Sequence, residues 1–354
     1  MKVEITDLLN IFDKEIRKNC KNKRKVYAFE INKMEYISWI KYLLENNLYF
    51  PSKYNIFLIR DPKYRIVMSL QIKDKLVNHY VARHILIPKL DKYLNYRCVA
   101  TRKGYGSNFG IKLILKYLEK NKNKRFYILK IDIKKYFYNI DHEILKNLLI
   151  DKLTTDEYKL VERIIDSTNM SYINLDIDNL VSNELNRRHY NSKKILDLPR
   201  YEYDKGLGLG AMSSQFLSIF YLYKLDHFIV NDLKLKYMVH YMDDYVIIHS
   251  DLTYLKKCLE IITLKLKNEY KLNVNLKKTT IIKDCDGFNF LGYTFFVKNK
   301  KVITKITSKG IKRVNRKIKK NKEKYNNSYI NLRTYFSSFN TYFNIYNYGD
   351  IKNK

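Results

Sequence analysis

Little in this chain interrupts it. Four prolines and ten glycines in 354 residues are too few to punctuate a string of linked modules. A continuous fold of two or three subdomains around a large core is expected instead. Cysteine is scarce as well. Cys20, Cys98, Cys258 and Cys285 form no Cys-x-x-Cys pair and have no His partner at zinc spacing, so they read as reduced thiols rather than metal ligands. No apolar run reaches the roughly 18 to 20 residues that a membrane span needs. Met1-Lys2-Val3-Glu4-Ile5-Thr6-Asp7 carries charge where a signal peptide has its apolar core, and a cytoplasmic protein is expected. The shortage with most consequence is of acids: 36 Asp and Glu stand against 68 Lys and Arg, a formal charge of +32. An AT-rich coding bias would enrich Lys, Asn, Ile and Tyr, but it would raise Asp and Glu too. The imbalance of sign therefore points to a polyanionic partner, nucleic acid in first place and a membrane surface as the alternative.

Hydrophobic spacing orders the chain. Leu8, Leu9, Ile11, Phe12 and Ile16 predict helix within the first 50 residues, and Leu70–Leu90 a second helical stretch ending near Pro88. Phe126–Ile133 reads as a short buried strand, Asp141–Leu149 as helix, and 151–205 as polar and irregular, with a basic cluster at Arg187, Arg188, Lys193 and Lys194. Ser213–Val230 and Leu255–Tyr270 are helical again, and Phe288–Val297 reads as a strand pair. From Lys298 the composition turns basic. Ile311, Val314 and Ile318 form an apolar seam among Lys312, Arg313, Arg316, Lys317, Lys319 and Lys320, a helix whose broad basic face suits phosphate better than plain solvation. The Tyr-rich stretch 340–348 is compositionally biased, yet it suits an aromatic helix end.

Three segments carry chemistry. In Tyr241-Met242-Asp243-Asp244, two adjacent carboxylates sit between β-branched and aromatic runs, a strand-turn-strand signal. Alone, such a turn reads more readily as a solvated hairpin tip. Like charges side by side are costly unless a cation neutralises them. Asp132 ends an apolar strand and is followed five residues later by Phe137. By itself Asp132 is a strand-end residue; with Asp243 and Asp244 it makes three carboxylates, enough for two Mg²⁺ ions. The third segment, Lys205-Gly206-Leu207-Gly208-Leu209-Gly210-Ala211-Met212-Ser213-Ser214-Gln215, is a glycine loop running into a helix. It is either a backbone-to-ligand approach or a flexible turn capped by Ser213.

In this order, an acid after a strand, a loop ending in Ser-Gln and then Tyr-Met-Asp-Asp resemble the successive palm motifs of reverse transcriptases. Leu276-Lys277-Lys278-Thr279 resembles the family's Lys motif, and Phe290-Leu291-Gly292-Tyr293 its primer grip. Arg65-Ile66-Val67 and Ala100-Thr101-Arg102-Lys103-Gly104-Tyr105-Gly106 look like fingers motifs. The resemblance covers about residues 55–300. It implies an α+β right-hand polymerase: an N-terminal extension and fingers over 1–125, a palm with an antiparallel sheet over 126–300, and a short basic helical thumb over 301–354. The insertion 151–205 would contribute to the fingers. Asp132, Asp243 and Asp244, with the Ile133 carbonyl, would hold two Mg²⁺ ions, Mn²⁺ being able to serve. Lys278 would protonate the leaving pyrophosphate, and Phe137 would be the gate that excludes a ribose 2′-hydroxyl. Lys63, Arg65, Arg102 and Gln215 would contact the dNTP. The implied partners are dNTPs, an RNA template and a DNA or RNA primer, with a small basic accessory protein or an associated non-coding RNA compatible with the pattern, and no membrane. An acid in place of Phe137 and Gly-Asp-Asp at the turn would be expected of an RNA-dependent RNA polymerase, which disfavours that class.

Within the family, Gly210-x-x-x-Ser214-Gln215 looks most like the bacterial enzymes of diversity-generating retroelements and of some defence systems. Group II intron and retroviral enzymes usually carry Ser-Pro there, and retron signatures are not evident. Gly208 stands where this loop often has proline, which predicts a looser loop. A stand-alone antiviral-defence enzyme is the alternative, and a catalytically silent nucleic-acid-binding relative is opposed by the three intact carboxylates.

Overall fold

The computed structural model describes residues 1–328 except 21, 61–62 and 188–194, together with Leu332. Arg188, Lys193 and Lys194 of the basic cluster and the Tyr-rich stretch 340–348 lie outside the described residues. The chain divides into two compact units. One takes Met1–Arg102, Ile133–Phe228 and Ile262–Val274; the other takes Lys103–Asp132, Ile229–Ile261 and the chain from Asn275 onward.

The first unit is mainly helical. Helices Ile5–Ile11, Lys23–Ile31 and Lys33–Glu45 form where the apolar spacing places them, burying Leu8, Ile11, Val26, Phe29, Ile37, Ile40 and Leu44. The Leu70–Leu90 stretch begins as Ile72–Tyr80, widens into a π-type turn over Val81–Leu86, and resumes as Ile87–Leu90. It passes Pro88 where the π-type turn gives way to the resumed helix, a local change in the hydrogen-bond ladder that accommodates the missing N–H. An antiparallel hairpin pairs β1 (Asn55–Ile59) with β2 (Arg65–Ser69).

The segment 151–205, expected to be irregular, holds two substantial helices. Thr154 caps Thr155–Ile165, and Glu157 reaches back to the Thr154 N–H at 2.8 Å. Helix Tyr172–Arg187 then lays Ile173, Ile177 and Val181, spaced four apart, on a core shared with Tyr54, Ile66 and Met68. The Arg60 guanidinium meets Glu184 at 2.6 Å at this edge. Scattered polar residues hid a narrow but regular apolar stripe. Ser213–Val230 likewise proves to be two helices, Met212–Tyr221 and Tyr223–Asn231, broken at Leu222.

The second unit is built on a four-stranded antiparallel sheet of β3 (Tyr127–Asp132), β4 (Tyr237–Tyr241), β5 (Asp244–His249) and β6 (Thr280–Lys283), in the order β4-β5-β3-β6. Tyr245, Val246, Ile247 and Ile248 are all buried, so β5 is covered on both faces, as its unbroken apolar run requires. Helix Ser107–Asn121 packs on this sheet, Tyr117 meeting Tyr237 at 5.2 Å between ring centres. A second sheet joins β7 (Phe288–Phe290), β8 (Tyr293–Lys298) and β9 (Lys301–Ile306). The strand pair thus gains a third member in chain that composition marked only as basic. Asn299 and Lys300 turn between β8 and β9 with positive φ at both positions, the geometry of a tight hairpin. Thr307 then caps the basic helix Ser308–Asn326, its Oγ1 accepting the Gly310 N–H at 3.2 Å. Of the expected seam only Val314 is fully buried; Ile311 is exposed and Ile318 half-buried. No helix among the described residues is long and apolar enough to cross a membrane.

Candidate active site

The Asp-Asp pair lies where strand pairing puts it. Tyr241 and Asp244 are ladder partners, which leaves Met242 and Asp243 as a two-residue turn between β4 and β5. Met242 takes φ +58, a left-handed conformation costly for a side chain of this kind. His240, which the sequence reading passed over, braces it. This fully buried ring stacks on Tyr245 at 4.1 Å and 7°, and its Nε2–H donates to the Met242 carbonyl at 2.7 Å. Its place in an apolar strand next to the turn was the available signal.

On the neighbouring strand Asp132 pairs directly with Asp244, so two carboxylates face each other across β3 and β5 with Cβ atoms roughly 5 Å apart. Burial, and then the charges of Asp243 and Asp132, push the Asp244 carboxyl up to about 6, against the opposing pull of Lys130 and Lys278. The fold therefore binds a proton at Asp244 more tightly than the unfolded chain does. This contribution to stability is present below about pH 4 and is lost as pH rises to about 6. A divalent ion that replaces the proton stabilises the folded state by mass action. The Mg²⁺-induced rise in Tm should accordingly be larger at pH 7.5 than at pH 5.5, and Asp244→Asn should flatten that difference. Equal increments in the wild-type chain at both pH values would refute this account of Asp244.

Asp132 is further held by the segment after the helix Leu252–Tyr270. Asn275 Nδ2 donates to its Oδ1 at 2.7 Å and Lys278 Nζ to its Oδ2 at 2.5 Å. Lys278 thus lies beside Asp132, with a carboxylate for its partner. Asn275 was missed: nothing in its spacing sets it apart from other asparagines in an Asn-rich chain. The donor set suits hard divalent cations such as Mg²⁺ and Mn²⁺, being oxygen only and including a carboxyl that its like-charged neighbours leave short of positive charge.

The remaining candidates fall in two places. In the second unit, Phe290 and Tyr293 are buried ladder partners, and the turn Leu291–Gly292, with φ +49 and +88, is the part presented outward. In the first unit, Lys63 and Arg65 are exposed at the start of β2. Ile133 is buried and bridged to Val274. Gln215 helps line a cavity of about 340 Å³ with His79, Thr101, Gly210 and Phe216. Arg102 departs from expectation. Its guanidinium is only 5% exposed, grips Asp91 with two nitrogens at 2.7 and 3.1 Å, and donates to the Asn95 and Cys98 carbonyls. These contacts tie it to the segment Asp91–Cys98.

Phe137 is half-buried, edge-on to Tyr136 at 5.9 Å. Its carbonyl accepts the Leu207 N–H at 2.8 Å, and the Gly206 N–H donates to the Ile140 carbonyl at 2.8 Å. The Gly206 carbonyl in turn accepts from His142 Nε2 at 2.7 Å and Thr168 Oγ1 at 2.9 Å, while the Leu209 carbonyl accepts the Met68 N–H at 3.1 Å. The loop expected to be loose for want of a proline is therefore tied on both sides of Gly208. Gly206 has φ +90, and a Cβ there would lie 2.8 Å from the Tyr201 ring and 3.1 Å from the Tyr138 carbonyl. Gly206→Ala should cost about 1–3 kcal/mol and lower Tm by several degrees in thermal unfolding. An unchanged Tm would mean that the loop relaxes at no cost.

A search of curated proteins finds no match to this sequence. Among solved structures, apo telomerase from Candida tropicalis, truncated from its C-terminal domain, aligns with 16% identity and a TM-score of 0.46, over 72% of this chain and 55% of its own. Telomerase from Candida albicans, in complex with a TWJ fragment of telomeric RNA, aligns with 16% identity and a TM-score of 0.47, over 77% and 49%. The chain spans about half the length of these telomerases, and at this level the likeness carries no functional weight. A family profile described as reverse transcriptase (RNA-dependent DNA polymerase) matches residues 59–295. That span includes the hairpin, Asp132, the glycine loop and Lys278, and it accords with a mixed helical and antiparallel-sheet right-hand polymerase fold. On this match, over two thirds of its length, the chain belongs to the reverse transcriptase family.

Proposed function

We propose that this chain is an RNA-directed DNA polymerase that adds deoxynucleotides to a primer 3′-end. The observation that carries it is the pairing of Asp132 with Asp244 across adjacent strands, with Asp243 in the turn beside them. Two divalent ions, Mg²⁺ or Mn²⁺, held by these three carboxylates with the Ile133 carbonyl, would supply Lewis-acid stabilisation to the attacking and leaving oxygens of an in-line displacement. The protein's own part is placement. β3 and β5 fix the carboxylates, His240 holds the turn, and Lys278 is a proton donor within reach of the same carboxylates. Lys63, Arg65 and Gln215 serve the nucleotide, Phe137 screens its sugar, and the Leu291–Gly292 turn supports the primer end. Primer extension on an RNA template with dNTPs tests the reading; no incorporation with either Mg²⁺ or Mn²⁺ overturns it.

The partner is a template–primer hybrid, gripped through its backbone. Helix Ser308–Asn326 alone carries nine Lys and Arg against one Glu. A protein making 6–10 phosphate contacts loses about 10³–10⁵ in affinity between 50 and 200 mM salt. Hybrid binding followed by anisotropy should fall within that range, with little dependence on sequence. A flat salt response would exclude the backbone mode.

For the biological setting we infer a bacterial diversity-generating type of retroelement, supported by the Gly-x-x-x-Ser-Gln loop; a small basic accessory protein or a non-coding RNA would then be a further partner. A stand-alone antiviral role is the second reading, supported by the same loop. Near-repeats differing at adenines in the neighbouring DNA would favour the first, and their absence beside defence genes the second.

A further inference from the structure

Asp132 is held more completely than a strand-end residue needs. It is 7% exposed, and each of its polar atoms meets the short segment Asn275–Thr279. Thr279 Oγ1 accepts the Asp132 N–H at 3.3 Å, and the Asn275 N–H donates to the Asp132 carbonyl at 2.7 Å. Asn275 Nδ2 takes one carboxylate oxygen at 2.7 Å and Lys278 Nζ the other at 2.5 Å. The segment is closed on itself, since the Asn275 carbonyl accepts the N–H groups of Lys278 and Thr279 at 3.0 and 2.9 Å. One residue thus anchors both the backbone and the side chain of Asp132, and it also starts the turn that delivers Lys278.

The two side-chain partners differ in a way that assigns them different parts. Asn275 is half-buried, neutral and tied into the turn by its own backbone, so it stays on Oδ1 whatever occupies the other oxygen. Lys278 is a cation on a flexible stem with a side chain 51% exposed. It satisfies the charge of Asp132 now, and it can move into water at little cost. We propose that Asn275 is the positioning residue of Asp132, and that the Lys278 ammonium is an internal counter-ion which a divalent cation must displace from Oδ2. The proposal rests on the reading of Asp132, Asp243 and Asp244 as metal ligands. Loss of an outer partner of a metal-bound carboxylate commonly weakens binding by about 10–100-fold. Removal of a half-exposed competing ion pair, worth at most about 1 kcal/mol, strengthens it by up to about five-fold. The two residues therefore act on the same carboxylate with opposite signs, which a merely structural role would not produce.

The test is Mn²⁺ binding to the full chain without nucleotide or nucleic acid, followed by the free-ion EPR signal, alongside the Mn²⁺-induced rise in Tm. Lys278→Gln should lower Tm in metal-free buffer and yet tighten Mn²⁺ binding. Asn275→Ala should weaken it by tenfold or more; if that variant does not fold, Asn275→Ser, which keeps a shorter donor, is read in its place and should weaken binding less. Unchanged affinity in the folded Asn275 variant overturns the positioning role, and unchanged or weaker binding in Lys278→Gln overturns the counter-ion role. Asp132→Asn separates the two levels. If it leaves Mn²⁺ binding intact, the ligand reading itself fails; if it removes binding while the Asn275 and Lys278 variants match wild type, only this inference fails.

Discussion

Asp243→Ala is expected to reduce primer extension by about 10³-fold or more, with hybrid binding retained. Loss of one preorganised group that stabilises developing charge commonly costs about 10²–10³ in rate. A carboxylate that holds a divalent ion should cost at least as much, since the Lewis-acid contribution goes with it. Each tenfold in rate corresponds to about 1.4 kcal/mol of transition-state stabilisation, so the expected loss is about 4 kcal/mol. The choice of Asp243 matters. Asp132→Asn would disturb a carboxylate already bonded to Asn275 and Lys278, and its effect would mix stability with chemistry. Asp243 lies in the turn, where its charge helps to push the Asp244 carboxyl upward, and its removal leaves the β4–β5 ladder in place. Hybrid binding should persist because it draws on basic residues elsewhere, Ser308–Asn326 among them. The Mg²⁺-induced rise in Tm should shrink along with activity. Unchanged extension by Asp243→Ala would refute the polymerase reading, and parallel loss of hybrid binding would show that the substitution damages the fold instead of the chemistry.

What the sequence made legible follows the range of the interactions involved. The β4–β5 hairpin and β3 could be read locally, because apolar, β-branched and aromatic residues crowd both sides of a short turn. That Asp132 sits opposite Asp244 is a matter of register between strands more than 100 residues apart, and only the ordered motifs implied it. Asn275 and His240 act through a few specific hydrogen bonds, to Asp132 and to Met242, that leave no periodic trace in the sequence. Helix Tyr172–Arg187 was missed for a different reason: its stripe of Ile173, Ile177 and Val181 is regular but narrow, and polar neighbours outnumber it. Arg102 is the converse case. A basic residue beside a glycine turn invites a phosphate, and only the geometry of Asp91 and two backbone carbonyls shows that its donors are already engaged.

Phe137→Ala should admit ribonucleotides, lowering the preference for dNTP over rNTP by about 10²-fold, the scale on which an apolar wall discriminates an added hydroxyl. A gate must be bulky and it must not move. Phe137 meets the second condition through its backbone: its carbonyl holds the Leu207 N–H, and the adjoining Gly206 carbonyl is fixed by His142 and Thr168. Tyr136 beside it is buried and donates its hydroxyl to the Ser218 carbonyl, which fixes this segment to helix Met212–Tyr221. Removing the ring therefore deletes bulk without releasing the segment, and dNTP incorporation should fall much less than sugar selectivity. Gly206→Ala provides the complementary case, since it should disturb the position of the segment while leaving the ring intact. If Phe137 is the gate, Phe137→Ala changes selectivity with Tm nearly constant, whereas Gly206→Ala lowers Tm and blurs selectivity together. Single-nucleotide extension with matched dNTP and rNTP measures both. Selectivity unchanged by Phe137→Ala would remove the ring from the sugar site and leave Phe137 as packing for Tyr136.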